Sequence, residues 1–224
     1  MKSPDPGSIP RPIPPLYPIL DFACVFPNGT PDNDARWNHL RLLVQEVAEA
    51  GVTLLQYRNK LDNDAVVAQD ALAMRDAAPQ IKLILNDRPA LVAAARWDGV
   101  HVGQDDLPPA AARLLLGGSA IIGVSTHNDE QVRRANREPV DYIAIGPVFR
   151  TLTKSDTSPV IGLEGIERAR ALTRKPLVAI GGITLENAPS IYAAGADSLA
   201  VISAIFGPGR SAKKSARELI ELLR

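Results

Sequence analysis

What the chain lacks narrows its class before any motif is read. It has a single cysteine, Cys24, in 224 residues, so an intrachain disulfide is impossible and a reducing, cytoplasmic setting is expected. Cys24 lies in the apolar stretch Phe22–Phe26 and reads as a small buried side chain. Lys plus Arg and Asp plus Glu each number 25, leaving no net charge. Partners such as nucleic acid or an anionic membrane surface call for basic patches, so neither is expected. No apolar run reaches the roughly 18 residues of a membrane span. The N-terminus has neither the apolar core nor the cleavage site of a secretory signal. The three histidines form no cluster with cysteine that suggests zinc, and no Ser-His-acid arrangement stands out. His39 reads as a surface residue and His101 as a satisfied interior one, while His127 is left without a role. Trp37 and Trp97 read as packing residues.

What is present suits one α/β domain. Residues 1–18 hold seven of the 19 prolines and no periodic apolar pattern, and are read as a proline-rich arm without a helix or strand of its own. From residue 19 to 224 short apolar runs alternate with longer amphipathic ones. The strand candidates are Ile19–Phe26, Thr53–Arg58, Leu83–Asn86, Gly99–Val102, Ile121–Ser125, Tyr142–Gly146, Leu177–Gly181 and Ser198–Ile202. Their near-continuous apolar character fits parallel strands covered on both faces. Helical patterns fall between and after them, over Arg41–Ala50, Asp64–Ala77, Pro89–Ala95, Ala110–Leu116, Asp129–Asn136, Leu163–Leu172, Glu186–Ala194 and Ala212–Leu223. Gly51 is placed to end the first of these. Such alternation fits a (β/α)8 TIM barrel and also an open doubly wound sheet.

The strand ends favour the barrel, whose active sites form there. After the second strand, Gln56, Arg58 and Lys60 alternate toward one side; two cations and an amide suit a polyphosphate, although a solvated charged turn would read the same way. Asp87 and Asp106 follow the adjacent third and fourth strands, close enough to share Mg²⁺. Each could instead cap the next helix. Asp105 is the weaker neighbour. Ser125 could donate to a phosphate oxygen or cap a helix. Thr151, Thr153 and Lys154 stand in a loop rich in donors and built for an anion. Gly181-Gly182 and the eighth-strand end at Ser203 offer backbone N–H groups to a second anion.

Seven segments stand in an order that resembles the thiamine-phosphate synthase (thiamine-phosphate pyrophosphorylase) family. They are Gln56-Tyr57-Arg58-Asn59-Lys60, Asn86-Asp87-Arg88, Gly99 to Asp106, Gly123 to His127, Thr151-Leu152-Thr153-Lys154, Ala179 to Ile183, and Val201 to Ile205. The resemblance implies a transferase that condenses a pyrimidine diphosphate with a thiazole phosphate, or its carboxylated form, to thiamine monophosphate and pyrophosphate. It implies that Gln56, Arg58, Lys60, Asn86, Ser125 and Lys154 contact the pyrimidine diphosphate. It implies Mg²⁺ on Asp87 and Asp106, and thiazole phosphate on Thr151, Thr153, Gly182, Ile202 and Ser203. The N-terminus departs from the family, with Leu16 to Asp21 preceded by the arm and followed by an unfamiliar Phe22–Asn33. Arg58, Lys60 and Lys154 are expected to stabilise the departing pyrophosphate in a dissociative substitution. Two rivals are a thiazole tautomerase of the same barrel and a non-catalytic phosphate-binding barrel.

Overall fold

The computed structural model describes residues 13–29, 31–151 and 158–223. Eight parallel strands close into a barrel in chain order, β1 (Leu16–Asp21), β2 (Leu54–Arg58), β3 (Lys82–Asn86), β4 (Gly99–Val102), β5 (Ile121–Thr126), β6 (Tyr142–Ile145), β7 (Leu177–Ile180) and β8 (Ser198–Val201). Closure is between the first and last, with Pro18 opposite Val201. Around them run α1 (Phe22–Val25), α2 (Asn33–Glu49), α3 (Asp64–Ala77), α4 (Pro89–Ala94) and α5 (Pro109–Leu116). The ring is completed by α6 (Asp129–Arg137), α7 (Gly162–Leu172), α8 (Ala188–Ala193), α9 (Ser203–Phe206) and α10 (Ala212–Leu222). No helix among the described residues is long and apolar enough to cross a membrane.

Local chemistry sets these elements. Asn63 caps α3 through the Val66 amide at 3.2 Å, and Asn128 caps α6 through the Gln131 amide at 3.0 Å. In α6, Asp129 and Glu130 occupy the first turn and Arg134 and Arg137 the last, matching the helix dipole at both ends. Apolar side chains form two cores. Ile19, Leu54, Ile84, Ala144, Val178 and Ala200 fill the barrel with Tyr17 and Tyr142, while the larger cluster lies between barrel and helices.

The N-terminal face of the barrel repeats one device three times. Asp98, just before β4, accepts from the Leu83 amide of β3 at 2.9 Å and pairs with Arg75 of α3. Asp141, before β6, accepts from the Ile122 amide of β5 at 2.7 Å and pairs with Arg113 of α5 at 2.7 Å. Asp197, before β8, accepts from the Leu177 amide of β7 at 2.9 Å and pairs with Arg170 of α7 at 2.7 Å. Each arginine also donates to a backbone carbonyl before the intervening strand, at Ile81, Ala120 or Lys175. An even-numbered strand is thus fastened to the odd strand and helix before it.

The structure departs from the sequence expectations at the start. The first strand is Leu16–Asp21 rather than Ile19–Phe26, so three residues assigned to the arm belong to the barrel. Proline fixes φ near −65°, which an extended strand accommodates, and Pro18 only forgoes one ladder donor. Ile13 is 1% exposed and packs inside the barrel against Tyr17. Asp21 then caps the short α1 by accepting from the Cys24 amide at 3.1 Å, which turns Phe22–Val25 into helix. The next helix starts at Asn33, not Arg41, because Asp32 caps it through the Ala35 amide at 3.0 Å. Its polar first turns hide the apolar period. Gly51, at φ +101°, takes the left-handed position expected after that helix.

Candidate active site

Two of the hollows at the C-terminal ends of the strands gather most of the residues singled out in the sequence. The larger, a cleft of ≈ 580 Å³, is lined by Arg58, Lys60, Asn86, Asp87, Asp106 and Ser125, together with His101, His127 and the exposed Asp105. The smaller, of ≈ 40 Å³, lies at the ends of β7 and β8 and is lined by Thr151, Gly182, Ile202 and Ser203 among others. Of the residues singled out in the sequence, Gln56 stands apart from both. It is 2% exposed inside the barrel, and its Nε2 donates to Tyr17 Oη at 2.9 Å. Alternation carried Arg58 and Lys60 to the cleft but left Gln56 one layer below it. Thr153 and Lys154 lie outside the described residues.

The cleft has a cationic and an acidic side. Arg58 is paired with Asp21, a carboxylate only 1% exposed. This anchor leaves further guanidinium donors for a ligand. Lys60 Nζ stands 2.8 Å from Asp87 Oδ2. Asp87 has φ +63°, a left-handed conformation that Asp and Asn tolerate better than most residues, and its amide donates to the His101 carbonyl at 2.8 Å. Asp106 accepts from the Gly103 amide at 2.7 Å, where a Cβ on residue 103 would stand 2.9 Å from the same carboxylate oxygen.

The carboxyls of Asp87 and Asp106 act on each other's titration. Burial pushes Asp106 up, and the bond to Asp87 with the negative charge beside it pushes further, against the Gly103 N–H. Burial also raises Asp87, but the hydrogen bond from Asp106 and the Lys60 ammonium outweigh it and hold that carboxyl below the usual range. Two hard oxygen ligands this close suit Mg²⁺, which takes one or two carboxylates and completes its shell with water and substrate phosphate. Among the described residues no three His, Cys, Asp or Glu side chains converge.

A hydrogen-bonded string crosses the barrel interior to the cleft floor. Gln56 donates to Tyr17, Tyr17 and Tyr142 hydroxyls lie 2.8 Å apart, Tyr142 Oη is 2.9 Å from His101 Nδ1, and His101 Nε2 is 2.8 Å from Ser125 Oγ. An amide N–H can only donate. Tyr17 Oη therefore accepts from Gln56, and the two hydroxyls and the imidazole form one connected string from there to Ser125. Burial raises the pKa of both phenols, which keeps them protonated in this role. Asn86, 5% exposed, has an Nδ2 with no protein partner, a buried donor placed for a ligand acceptor.

The smaller hollow depends on glycine. Gly182 has φ +65°, and a Cβ there would fall 2.7 Å from Arg150 O and Phe149 Cβ. Only glycine lets the end of β7 approach the β6–α7 loop that carries Thr151. That loop is held by Phe149 N–H donating to Gly181 O at 3.0 Å. The short α9 begins at Ser203, after β8, the place where barrels of this kind set an extra helix beside a phosphate. It went unread in the sequence, since four residues show no period. Asp21, Tyr17 and Tyr142 were also missed as site residues; their roles come from partners across the barrel, which no local pattern encodes.

Known proteins share this sequence and fold. A family model described as thiamine monophosphate synthase matches residues 30–205. A thiamine-phosphate synthase of Koribacter versatilis (strain Ellin345) is 45% identical over 212 residues, covering 94% of this chain and 96% of its own. One of Chloroflexus aurantiacus is 42% identical over 167 residues, or 74% of this chain and 77% of its own. The solved structure of a thiamine phosphate pyrophosphorylase from Pyrococcus furiosus superposes with a TM-score of 0.78 at 30% identity, covering 93% of this chain and 94% of that one. With the family model spanning most of its length and relatives this similar, the chain belongs to the thiamine monophosphate synthase family.

Proposed function

We propose that the protein is a transferase joining a pyrimidine diphosphate to a thiazole phosphate, giving thiamine monophosphate and pyrophosphate. The observation that carries this is the single cleft in which Arg58 and Lys60 face Asp87 and Asp106. Such a layout suits a diphosphate with its cation. The diphosphate would lie against Arg58 and Lys60, with Ser125 and the unpartnered amide of Asn86 below the ring. Asp87 and Asp106 would hold Mg²⁺, which when bound offsets negative charge on the diphosphate.

In this reading the bond between the pyrimidine methylene and the diphosphate oxygen breaks first, and both electrons leave with pyrophosphate. Arg58 and Lys60 stabilise the charge that grows on that oxygen, a role strongest in a cleft that excludes water. Lys154, outside the described residues, is assigned the same role from its place in the Thr-Leu-Thr-Lys segment. The exocyclic amine feeds electrons into the methylene cation, and the thiazole nitrogen then closes the new C–N bond. Thr151, Gly182, Ile202 and Ser203, with Thr153 from the sequence, would hold the thiazole phosphate in the smaller hollow. Gln56 acts from the layer below, through Tyr17. The test is Arg58→Ala and Lys60→Ala: each should slow pyrophosphate release by about 10²–10³ while thiazole phosphate binding changes little. Release at the wild-type rate in both variants would remove the cationic side from the mechanism.

A further inference from the structure

Arg88 follows Asp87 directly, and a cation there invites the reading that it too grips the diphosphate. Its contacts point elsewhere. Nη1 donates to Asn59 O at 2.5 Å, Nη2 to Asp62 O at 2.9 Å and Nε to Asp64 Oδ1 at 2.7 Å. All three acceptors belong to the turn between β2 and α3 and its first helical residue. Arg58 and Lys60 line the cleft, and Arg88 does not.

The same turn is held from its other side. Asn59 is 1% exposed; its Oδ1 accepts from the Leu61 and Asp62 amides at 3.0 and 3.2 Å, and its Nδ2 donates to Tyr57 Oη and Asp62 Oδ2 at 3.1 and 2.9 Å. Asp62 also accepts from Arg36 Nη2 at 2.8 Å, and Arg36 is paired with the buried Asp70. Residues 59–62 are therefore fastened to α2 and α3 by one arginine and to the end of β3 by the other. Between the two anchors projects Lys60, opposite Asp87.

We propose that Arg88 is a positioning residue that clamps the 59–62 turn onto the end of β3, setting the Lys60 ammonium against the Asp87 carboxylate. The inference rests on the reading of Lys60 as a diphosphate contact. Only a planar fork can reach two carbonyls and a carboxylate together; the point charge of lysine cannot. The clamp also bears on Asp87 itself, whose left-handed backbone at φ +63° is followed at once by the anchored residue.

The test combines amide hydrogen exchange with a mutant cycle on Arg88→Ala, Lys60→Ala and the double variant. Arg88→Ala should speed exchange at the Leu61 and Asp62 amides by about tenfold or more, a local opening that leaves the barrel strands protected. It should raise KM for the pyrimidine diphosphate about tenfold in the wild-type background and by much less when Lys60 is already absent, because the two act as one unit. Arg88→Lys should not restore either property. Equal factors with and without Lys60 would mean that Arg88 touches the diphosphate itself, and unchanged exchange at the two amides would mean that no clamp exists; either result overturns the proposal. Should Arg88→Ala fail to fold, Arg88→Lys carries the same exchange test, with quickened amides in support and unchanged ones against. Lys60→Ala with both KM and the rate of pyrophosphate release unchanged would sink the reading of Lys60, and the exchange result then decides the clamp separately.

Discussion

Burial and the neighbouring Asp87 raise the pKa of Asp106, so a divalent cation binding there competes with a proton as the pH falls. Metal affinity should therefore fall as pH drops through the raised pKa of Asp106. The stability signs are opposed. Asp106, raised in the folded state, stabilises the metal-free protein below its unfolded pKa, and that contribution is lost as pH rises through the raised value. Asp87, lowered, contributes above its unfolded pKa and loses this as pH falls. Unfolding midpoints taken across acid to neutral pH, with and without Mg²⁺, should show the largest metal stabilisation at the higher end; a constant gain across the range would contradict this competition. Asp87→Asn and Asp106→Asn should each cut turnover at limiting Mg²⁺ by about 10²-fold, the scale of a lost electrostatic contact, with little loss of stability. Asn is the right replacement at position 87 because it too tolerates φ +63°. Unchanged Mg²⁺ titrations in both variants would remove these residues from the site. These side chains were legible in the sequence because each is a charge at a strand end. Gln56 was not placed correctly, since alternation gives the side of the strand and not the depth in the barrel.

Elements are secured at the face opposite the chemistry. The Asp98, Asp141 and Asp197 fastenings each join two strands and a helix through a backbone amide and an arginine. Removing the carboxylate strands a partly buried N–H and an arginine, at a cost of about 1–3 kcal/mol for each such change. Asp141→Ala and Asp197→Ala should thus lower the urea midpoint while leaving KM for both substrates as in the wild type. A fall in activity without loss of stability would show that the N-terminal face takes part in catalysis. The long helices were legible where a cap and an apolar period coincide, as in α3, whose bounds Asp64–Ala77 match the sequence reading. α1 and α9 were not, because four residues carry no period. β1 was hidden by Pro18, which reads as a strand breaker although its fixed φ is compatible with an edgeless extended strand.

The whole molecule divides its labour along the barrel axis. Polar side chains gather at the C-terminal ends of the strands, apolar ones fill the middle, and Ile13 packs into the interior core beyond the start of β1. Ile13→Asp would place an unpaired charge in that core and should destabilise the fold by more than about 3 kcal/mol. Deleting Met1–Pro10, which stops short of Ile13, should leave the melting temperature and activity intact; a large fall would show that the deleted segment packs on the barrel. The eightfold alternation was legible from apolar runs, and closure from the polar strand ends, which an open sheet would not need to converge. The pairing of the cleft with a second hollow, and the assignment of each to one substrate, is the central claim. It is tested most directly by incubating the purified protein with the pyrimidine diphosphate, the thiazole phosphate and Mg²⁺, and following pyrophosphate and thiamine monophosphate together. The account predicts equal amounts of both products, dependent on Mg²⁺ and lost in Asp87→Asn and Asp106→Asn. No pyrophosphate from the complete mixture, or isomerisation of a thiazole with no pyrimidine present, would contradict it.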